Sequence, residues 1–321
     1  PVPPYDFNLT ASSAVYFRDS YGTNRFDGAV FSRLHDLEGK LCLTSVRSLG
    51  TLDSPKLEVK VTGASLDDAT VDAAKHRIAW LLDTGTDLSP FYAMASQDPV
   101  LAPLAGGLWG LHLPHAASVF EALILAILGQ QISSHVARLL RTRLTETFGV
   151  PMEIDGVTYH AFPRPEDLAA AGVERLRAIK FSGRKSEYIA DITGAVASGK
   201  LELEALHQQP DDEIIRVLIG IRGVGLWTAH WLLINALGRS DGFPHNDLAL
   251  LRTLGLLVNE GTPFQPEEAL QYSVRWSPFR SYVTAYLFAA IRSGHLAEVM
   301  SSKVSSHPLT ARRAVSGQTK L

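Results

Sequence analysis

A six-residue turn with three glycines, placed between two apolar segments, constrains the fold of this chain more than any other stretch. The turn reads Gly-Ile-Arg-Gly-Val-Gly and runs from Gly220 to Gly225. The segment before it includes Ile214, and the segment after it reaches about Leu237. Because glycine adopts positive φ angles and lets another backbone approach closely, such a turn can reverse the chain within a few residues. We expect two helices joined by a tight hairpin between about residues 211 and 238.

The backbone groups of this hairpin suit an anion. Successive N–H groups in a glycine turn, followed by the N-terminus of a helix, form a concave site that binds phosphate. The carbonyl groups on the other side, those of Ile219, Ile221 and Val224, could hold a structural Na⁺ or K⁺ that bridges to the same phosphate. The glycines are equally compatible with a plain connection between packed helices, so the pattern alone leaves both interpretations open.

Composition bounds the class of protein. The 321 residues are 46% hydrophobic and 20% charged, which is typical of a soluble globular protein with two or three domains. The net charge of −3 argues against coating DNA by bulk charge, although a local basic face or a few backbone amides would suffice. The single cysteine, Cys42, excludes a four-cysteine iron–sulfur cluster or a disulfide framework within one chain. Without a signal peptide or a membrane-spanning run, we expect a cytoplasmic, nucleoid-associated protein.

Residues 1–108 have the pattern of a small α/β domain with an antiparallel sheet and a helix. Short runs of strand-like composition, two of them alternating, are punctuated by glycine, asparagine and proline. We predict strands at Val15–Phe17, Ala29–Leu34, Lys40–Val46 and Lys56–Val61. Asp67–Leu82 has helical spacing with acidic residues in its first turn. The residues do not indicate a chemistry for this domain, and we expect a structural or DNA-flanking role.

From residue 109 to about residue 300 the apolar residues recur with a helical period, so we predict an all-α domain there. Ser118 and Ser133 are placed to cap two helices, and Pro210 precedes an acidic first turn. Further helices are predicted at residues 163–170, 173–179, 185–198, 265–274 and 279–293. The tail, residues 301–321, is basic and lacks acidic residues. We expect it to be disordered and to make weak phosphate contacts.

Four segments of the chain resemble the helix–hairpin–helix superfamily of DNA glycosylases. LIGIRGVGLWTAHWLL is similar to the superfamily's helix–hairpin–helix, and FPHNDLAL to the loop that carries its catalytic aspartate. AILGQQIS and RWSPFRSYVTAYLF match two further pieces, and all four follow the family's order within residues 115–295. Within the superfamily they resemble the alkylation-repair branch, that of 3-methyladenine DNA glycosylase II. Residues 1–108 carry no matching motif, only a similar length and α/β pattern.

The resemblance implies that Asp247 is the catalytic residue. Loss of a base leaves a deoxyribose with oxocarbenium character, whose positive charge a fixed carboxylate stabilises. Asp247 stands where a loop ends and a helix begins, so it could equally be an ordinary helix N-cap, which is common before an apolar run. In the catalytic interpretation, Asn246 could cap the helix and leave Asp247 for the reaction.

The position after the hairpin distinguishes two classes of glycosylase. In the bifunctional relatives a lysine stands here and forms a Schiff base with the sugar, which leads to strand cleavage. This chain has Trp227 at that position. The resemblance therefore implies a monofunctional enzyme that hydrolyses the glycosidic bond and leaves an abasic site.

Aromatic residues are the candidates for the substrate pocket. Trp227 and Trp231 are four residues apart and share one helix face, and Phe288 matches a pocket aromatic of the alkylation branch. Aromatic faces attract the positive charge of an N3- or N7-alkylated purine by roughly 0.5–2 kcal/mol each. That charge also weakens the glycosidic bond, so no general acid is needed. The same spacing is common in packed cores, so these aromatics could instead be structural.

The resemblance also places contacts with DNA. Gln131, in GQQIS, matches the wedge that fills the gap left by an extruded base. The alternatives are that its neighbour Gln130 is the wedge, or that Gln131 is a surface residue at a helix break. The residues implied to contact DNA at the hairpin are Gly220, Gly223, Val224, Gly225 and Thr228.

Other candidates are weaker. His230 and His245 flank the predicted site, but two histidines without a third ligand do not predict a metal centre. Arg280 follows the family signature, and we interpret it as mainly structural, within a buried charge pair.

The sequence thus predicts an α+β N-terminal domain followed by an all-α helix–hairpin–helix glycosylase domain. The expected function is excision of alkylated bases, of the 3-methyladenine and 7-methylguanine type, from double-stranded DNA in base excision repair. We expect a monomer that requires no cofactor. The same scaffold could instead act on oxidised or deaminated purines. Two other classes are a non-catalytic DNA-damage-binding module, in which Asp247 is only a cap, and a helical metabolic enzyme.

Overall fold

The structure of the protein, a computed structural model, describes residues 1–305. It has an N-terminal part with a five-stranded antiparallel sheet and a larger helical part, which confirms the predicted fold class. The expected disordered tail, residues 301–321, lies mostly outside the described residues, and its first residues belong instead to a helix that ends at Ser305. No helix within the described range is long and apolar enough to cross a membrane.

The N-terminal sheet is a meander in which each strand pairs with the next strand of the chain. Its strands are β1 Ser20–Tyr21, β2 Asn24–Phe26, β3 Phe31–Leu37, β4 Lys40–Ser48 and β5 Leu57–Thr62. The three longest strands agree with predicted runs. The central pair reverses through Glu38 and Gly39, both with positive φ, as a two-residue hairpin requires.

The predicted strand at Val15–Phe17 is wrong. Asp6 caps a helix, α1 Phe7–Ala14, by accepting a hydrogen bond from the N–H of Leu9. After this helix, Tyr16 and Phe17 adopt left-handed φ angles of 57° and 55°, which a strand does not contain. The apolar residues of this segment therefore form the end of a helix and the turn that follows it.

The second helix, α2 Asp68–Leu81, agrees with the prediction and packs across the sheet. Asp67 caps it by accepting the N–H of Thr70. Side chains of the sheet and the helix, such as Phe31 and Ile78, are buried in one shared cluster. This cluster is the core of the N-terminal part.

The predicted domain boundary at residue 108 cuts through a packed unit. Two helices, α3 Ser89–Ala95 and α4 Leu101–Gly107, precede that boundary. Their buried residues share one core with the C-terminal helices, and the rings of Phe91 and Tyr286 lie 4.9 Å apart between centroids. By packing, residues 88–108 therefore belong with the helical part.

The helical part is built largely from elements that the periodicity predicted. Its helices are α5 Val119–Gly129, α6 Ser134–Phe148, α7 Pro165–Ala178, α8 Gly183–Ala197, α9 Asp211–Ile219, α10 Leu226–Asn235, α11 Leu248–Val258, α12 Pro266–Ser273, α13 Arg280–Ser293 and α14 His295–Ser305. Ser118 and Ser133 cap α5 and α6, each accepting the N–H three residues ahead. Element α7 consists of two helices that meet at a kink at Gly172, where φ is 63° and ψ is −178°, which agrees with the two short helices predicted at residues 163–170 and 173–179.

A β-hairpin interrupts the part that was predicted to be all-α. Its strands are β6 Pro151–Ile154 and β7 Val157–His160, which pair in antiparallel register. The two residues between them, Asp155 and Gly156, have φ angles of 52° and 75°. Asp-Gly with two positive φ angles is typical of a tight hairpin turn, so the sequence carried the signal for this element.

A buried ion pair joins the sheet to the centre of the helical core. Helix α5 is buried along almost its whole length, and its one charged residue is Glu121. Nη2 of Arg33, on β3, lies 2.5 Å from Oε2 of Glu121. Nη1 of Arg33 also donates to the other carboxylate oxygen and to Oδ1 of Asn24. Both residues of the ion pair are at most 5% exposed, so the pair fixes the sheet against α5 with little access to water.

We expect that Glu121→Gln destabilises the fold by roughly 3–5 kcal/mol, because it leaves the charge of Arg33 buried without a counterion. The free energy of unfolding is measured by urea denaturation. The matched control is Glu58→Gln, which removes the exposed partner of Arg47 on the same sheet and should leave stability unchanged within error. Equal effects of the two variants would contradict a special role of the buried pair.

Candidate active site

The predicted hairpin forms between α9 and α10. Gly223 has a φ of +90°, and a Cβ atom at this residue would lie 2.3 Å from the ring of Tyr188. Within the turn, the N–H of Val224 donates to the carbonyl of Ile221. Helix α10 begins after Gly225, and no side chain caps it. Because the first N–H groups of a helix have no partner within it, this end of α10 presents donors and a partial positive charge.

The five residues predicted to contact DNA at the hairpin differ in exposure. Gly220 and Gly225 are exposed, and Gly223 is partly exposed. Val224 and Thr228 are only 7% and 2% exposed, so their side chains are not available for a contact with DNA. They face the core because apolar packing holds the two helices of the hairpin together. Only main-chain atoms of these two residues could take part, and the N–H of Val224 is already bonded within the turn.

The two adjacent glutamines have different surroundings. Nε2 of Gln130 donates to the carbonyl of Gly223 at 3.0 Å and to the hydroxyl of Thr228 at 3.4 Å. Gln131 is exposed and has a left-handed φ of 55°. The amide of Gln130 ties the α5–α6 turn to the hairpin and leaves Gln131 as the exposed residue, which favours Gln131 over Gln130 as the wedge.

Asp247 is the N-cap of α11 and also the acceptor of an indole. Its Oδ1 accepts the N–H groups of Ala249 and Leu250 at 2.8 and 2.9 Å. Its Oδ2 accepts the indole N–H of Trp227 at 2.6 Å. The expectation that Asn246 caps the helix instead is wrong. The carboxylate of Asp247 therefore caps α11 and is itself held in a fixed orientation, because three N–H donors bind its two oxygens.

A cleft reaches the loop that leads to Asp247, although Asp247 is not itself among the lining residues, and it contains about 820 Å³ of empty space, including its mouth. Trp231 and Phe288 line it, and so does Pro244 of the loop that leads to Asp247. Trp227 is not among the lining residues, which corrects its expected place in the pocket. Its indole turns to the carboxylate of Asp247, so Trp227 is a positioning residue.

One wall of the cleft comes from the N-terminal part. Tyr16, Tyr21 and Asn24 line it, and the rings of the two tyrosines stack with centroids 4.2 Å apart. Glu121 lines it as well, so the buried ion pair borders the cleft. The N-terminal part thus contributes to the cleft in addition to its expected structural or DNA-flanking role. No local pattern in the sequence indicated this wall, because it depends on how the turn after α1 meets the helical part.

Sequence analysis missed Arg292. Its Cζ lies 4.3 Å from the ring centroid of Tyr16 and 5.2 Å from that of Phe288, and the side chain lines the cleft. Crowding by the cleft walls lowers the pKa of Arg292, while Tyr16, Tyr21 and Asp247 oppose that shift. An arginine stays charged in either case. Phe288, which was expected to attract a cationic base, thus already contacts a cation, and the i,i+4 spacing of Phe288 and Arg292 could have indicated this.

The loop before Asp247 is held by two contacts. His230 of α10 meets His245 of the loop edge to face, with centroids 5.7 Å apart. Burial lowers the pKa of His230 to about 4, with contributions from His245 and Arg280, so this ring is neutral at neutral pH. Arg280 binds Asp241 through two hydrogen bonds of 2.8 and 2.7 Å, in line with its interpretation as structural. Among the described residues, no group of three or more histidine, cysteine or acidic side chains could hold a metal ion.

Comparison with known proteins gives one consistent result. Residues 124–278 match the family model described as HhH-GPD superfamily base excision DNA repair protein. The chain is 37% identical over 209 residues to a DNA-3-methyladenine glycosylase of Bacillus subtilis, an alignment that covers 65% of this chain and 69% of that protein. It is 29% identical over 182 residues to DNA-3-methyladenine glycosylase 2 of Escherichia coli, covering 56% of this chain and 60% of that protein.

Solved structures show how much of the fold is shared. A 3-methyladenine DNA glycosylase from Archaeoglobus fulgidus is 26% identical with a TM-score of 0.80, covering 90% of this chain and 96% of that chain. A 3-methyladenine DNA glycosylase of Schizosaccharomyces pombe, solved with abasic DNA, is 27% identical with a TM-score of 0.53. That alignment covers 62% of this chain and 95% of the other, so more than a third of this chain has no counterpart there.

We expect that Gly223→Ala destabilises the fold, because a left-handed residue with a Cβ costs roughly 1–2 kcal/mol before the collision with Tyr188 is counted. Thermal unfolding measures the effect. Gly225→Ala is the matched control, because nothing lies within 4 Å of a Cβ there and φ is −104°. A melting temperature lowered equally in both variants would contradict this account of the turn.

Proposed function

The chain belongs to the HhH-GPD superfamily of base excision DNA repair proteins, and from that premise we propose that it is a monofunctional glycosylase that removes alkylated bases from double-stranded DNA. The observation that carries the proposal is the position of the Asp247 carboxylate. It stands at the N-terminus of α11, held by three N–H donors, in the loop whose Pro244 lines the cleft. Its charge also acts on Arg292, which lines the same cleft.

The negative charge of the Asp247 carboxylate is suited to stabilise the positive charge that develops on the sugar during the reaction. When the bond between C1′ and the base nitrogen breaks, positive charge develops on the deoxyribose. A carboxylate that is already oriented stabilises this charge without reorganisation at the moment of reaction. The indole N–H of Trp227 keeps Oδ2 in place while the two amides of α11 hold Oδ1. We assign Asp247 as the catalytic residue and Trp227 as the residue that positions it.

The hairpin supplies the anchor on the DNA backbone. The uncapped start of α10 and the exposed Gly220 and Gly225 offer main-chain donors to a phosphate. We also propose that the carbonyls of Ile219, Ile221 and Val224 bind Na⁺ or K⁺, since main-chain carbonyls are suitable ligands for such ions. The carbonyl of Ile221 already accepts one hydrogen bond, and its second lone pair remains for the cation.

We propose that the reaction stops once the base is released, so that the product is an abasic site in an uncut strand. Trp227 stands at the position where bifunctional relatives have a lysine, so no amine at this position can form a Schiff base with the sugar. The alkylated substrate is supported by the likeness to relatives named for 3-methyladenine. We propose that the protein acts as a monomer on chromosomal DNA and that Gln131 fills the gap left by the extruded base.

We expect that Asp247→Asn lowers the release of 3-methyladenine from methylated duplex DNA by about 10²–10³-fold or more, while binding to DNA with an abasic-site analogue is retained. The amide keeps an oxygen for the helix cap, but it removes the negative charge that the sugar requires. Released bases are quantified together with strand ends, and the parent protein should leave abasic strands intact.

The matched control is Asp67→Asn, which removes the charge of another N-cap aspartate, on α2 and remote from the cleft. It should excise bases at the parent rate. Unchanged excision in Asp247→Asn would show that Asp247 is only a cap. Absence of release by the parent, with DNA binding intact, would redirect the search to oxidised or deaminated bases and then to a non-catalytic binding module.

Gln131→Gly should slow excision from fully paired duplex DNA, because the gap in the base stack is no longer filled. Glycine suits the left-handed backbone of this residue, so the fold should be unaffected. The internal control is the same lesion opposite a mismatched base, where extrusion costs less and the effect should shrink. An equal loss on both substrates would argue against a wedge.

A further inference from the structure

The cleft contains a cation that contacts two aromatic rings. Cζ of Arg292 lies over the rings of Tyr16 and Phe288, at 4.3 and 5.2 Å from their centroids. Tyr21 stacks in turn on Tyr16. Contacts between a cation and aromatic rings hold the guanidinium without using its hydrogen-bond donors.

Those donors have no partner in the part of the chain that the structure describes. No hydrogen bond or ion pair joins the side chain of Arg292 to any side chain that the structure describes, although the charge of Asp247 acts on it. An unpaired planar fork of five N–H donors in a cleft can bind an acceptor such as a carbonyl, a ring nitrogen or an anion. The cleft thus contains a free cation, and its neighbourhood contains a carboxylate that is held at the helix start.

The positive charge of Arg292 and the negative charge of Asp247 are opposite to the charges that develop on the base and on the sugar in the proposed reaction. When the bond between C1′ and the base nitrogen breaks, both electrons leave with the base. The sugar becomes more positive by one unit and the base more negative by one unit, whichever base it is. Water then forms the new C1′–O bond and loses its proton to solvent. A cationic alkylpurine leaves neutral, while a neutral base leaves as an anion and takes a proton from solvent.

We propose that Arg292 stabilises the departing base electrostatically, as Asp247 stabilises the sugar. This inference rests on the proposed function and adds a second charged group to it. With a cationic base, the guanidinium repels the bound substrate, and the repulsion disappears as the bond breaks. With a neutral base, the guanidinium attracts the negative charge that develops. In both cases the interaction is more favourable in the transition state than in the bound substrate, which is the condition for catalysis.

The role of the N-terminal part follows from this assignment. Tyr16 and its stacked neighbour Tyr21 belong to residues outside the four motif segments, and they form one side of the support for Arg292. Phe288 and Arg292 are neighbours on one face of α13, so the other side of the support comes from the helix itself. The N-terminal wall therefore acts by orienting a cation over the base and not only by closing the cleft.

Arg292→Gln tests the proposal under single-turnover conditions with 7-methylguanine in duplex DNA. We expect the rate constant of base release to fall by about 10²–10³-fold. Affinity for duplex DNA that carries a tetrahydrofuran abasic analogue should be unchanged, and affinity for the intact lesion in an Asp247→Asn background should rise or stay equal. Arg292→Lys keeps the charge and should recover a large part of the rate.

The matched control is Arg275→Gln, which removes another arginine stacked on a ring, 3.9 Å over Tyr272 and not among the residues that line the cleft. It should leave the rate unchanged. If Arg292→Gln also weakens binding to the abasic analogue, and this loss of affinity becomes smaller at high salt, Arg292 is a phosphate ligand and the proposal is overturned. A parent-like rate in Arg292→Gln would overturn it as well. If the parent releases no base at all, the proposed function itself fails.

Discussion

A hydrogen bond between Trp227 and Asp247 joins the first turns of helices α10 and α11. The N–H groups of these two first turns, which have no partner within their helices, are the feature on which the site depends. Every helix start leaves several amides without a partner within the helix. Helix α11 satisfies two of them with the carboxylate of Asp247. Helix α10 starts at Gly225 with no side-chain cap, so its amides stay open to a ligand. One helix start therefore orients an anion of the protein, and the other is the start that we propose binds a phosphate of the DNA.

The contacts around these two helix starts depend on one another. Trp227 lies on the first turn of α10 and donates to Asp247 on α11, so the hairpin and the reactive carboxylate share a hydrogen bond. Gln130 connects the same hairpin to the turn that presents Gln131. Phosphate anchoring, base extrusion and hydrolysis are thus assigned to groups that direct hydrogen bonds link to one another. A shift of the hairpin would be transmitted to both the proposed wedge and the carboxylate.

The cleft itself needs both parts of the chain. The helical part contributes Trp231, Phe288 and Arg292, and the turn after α1 contributes Tyr16 on the opposite side. Directly behind this region, the buried pair of Arg33 and Glu121 fixes the sheet to α5. The cleft therefore depends on contacts between elements that lie far apart in the chain.

Residues close together in the chain were sufficient to predict the helical period, the caps at Ser118 and Ser133, the hairpin and the class of fold. Two further local patterns indicate structure that was not predicted: Asp155-Gly156 indicates the β-hairpin, and the i,i+4 spacing of Phe288 and Arg292 indicates their contact. The tertiary structure alone decided that Trp227 faces a carboxylate and that Thr228 is buried. It alone brought Tyr16 to Arg292, across more than 270 positions of the chain. Local patterns fix which face of an element is apolar, but only packing between distant elements decides what that face meets.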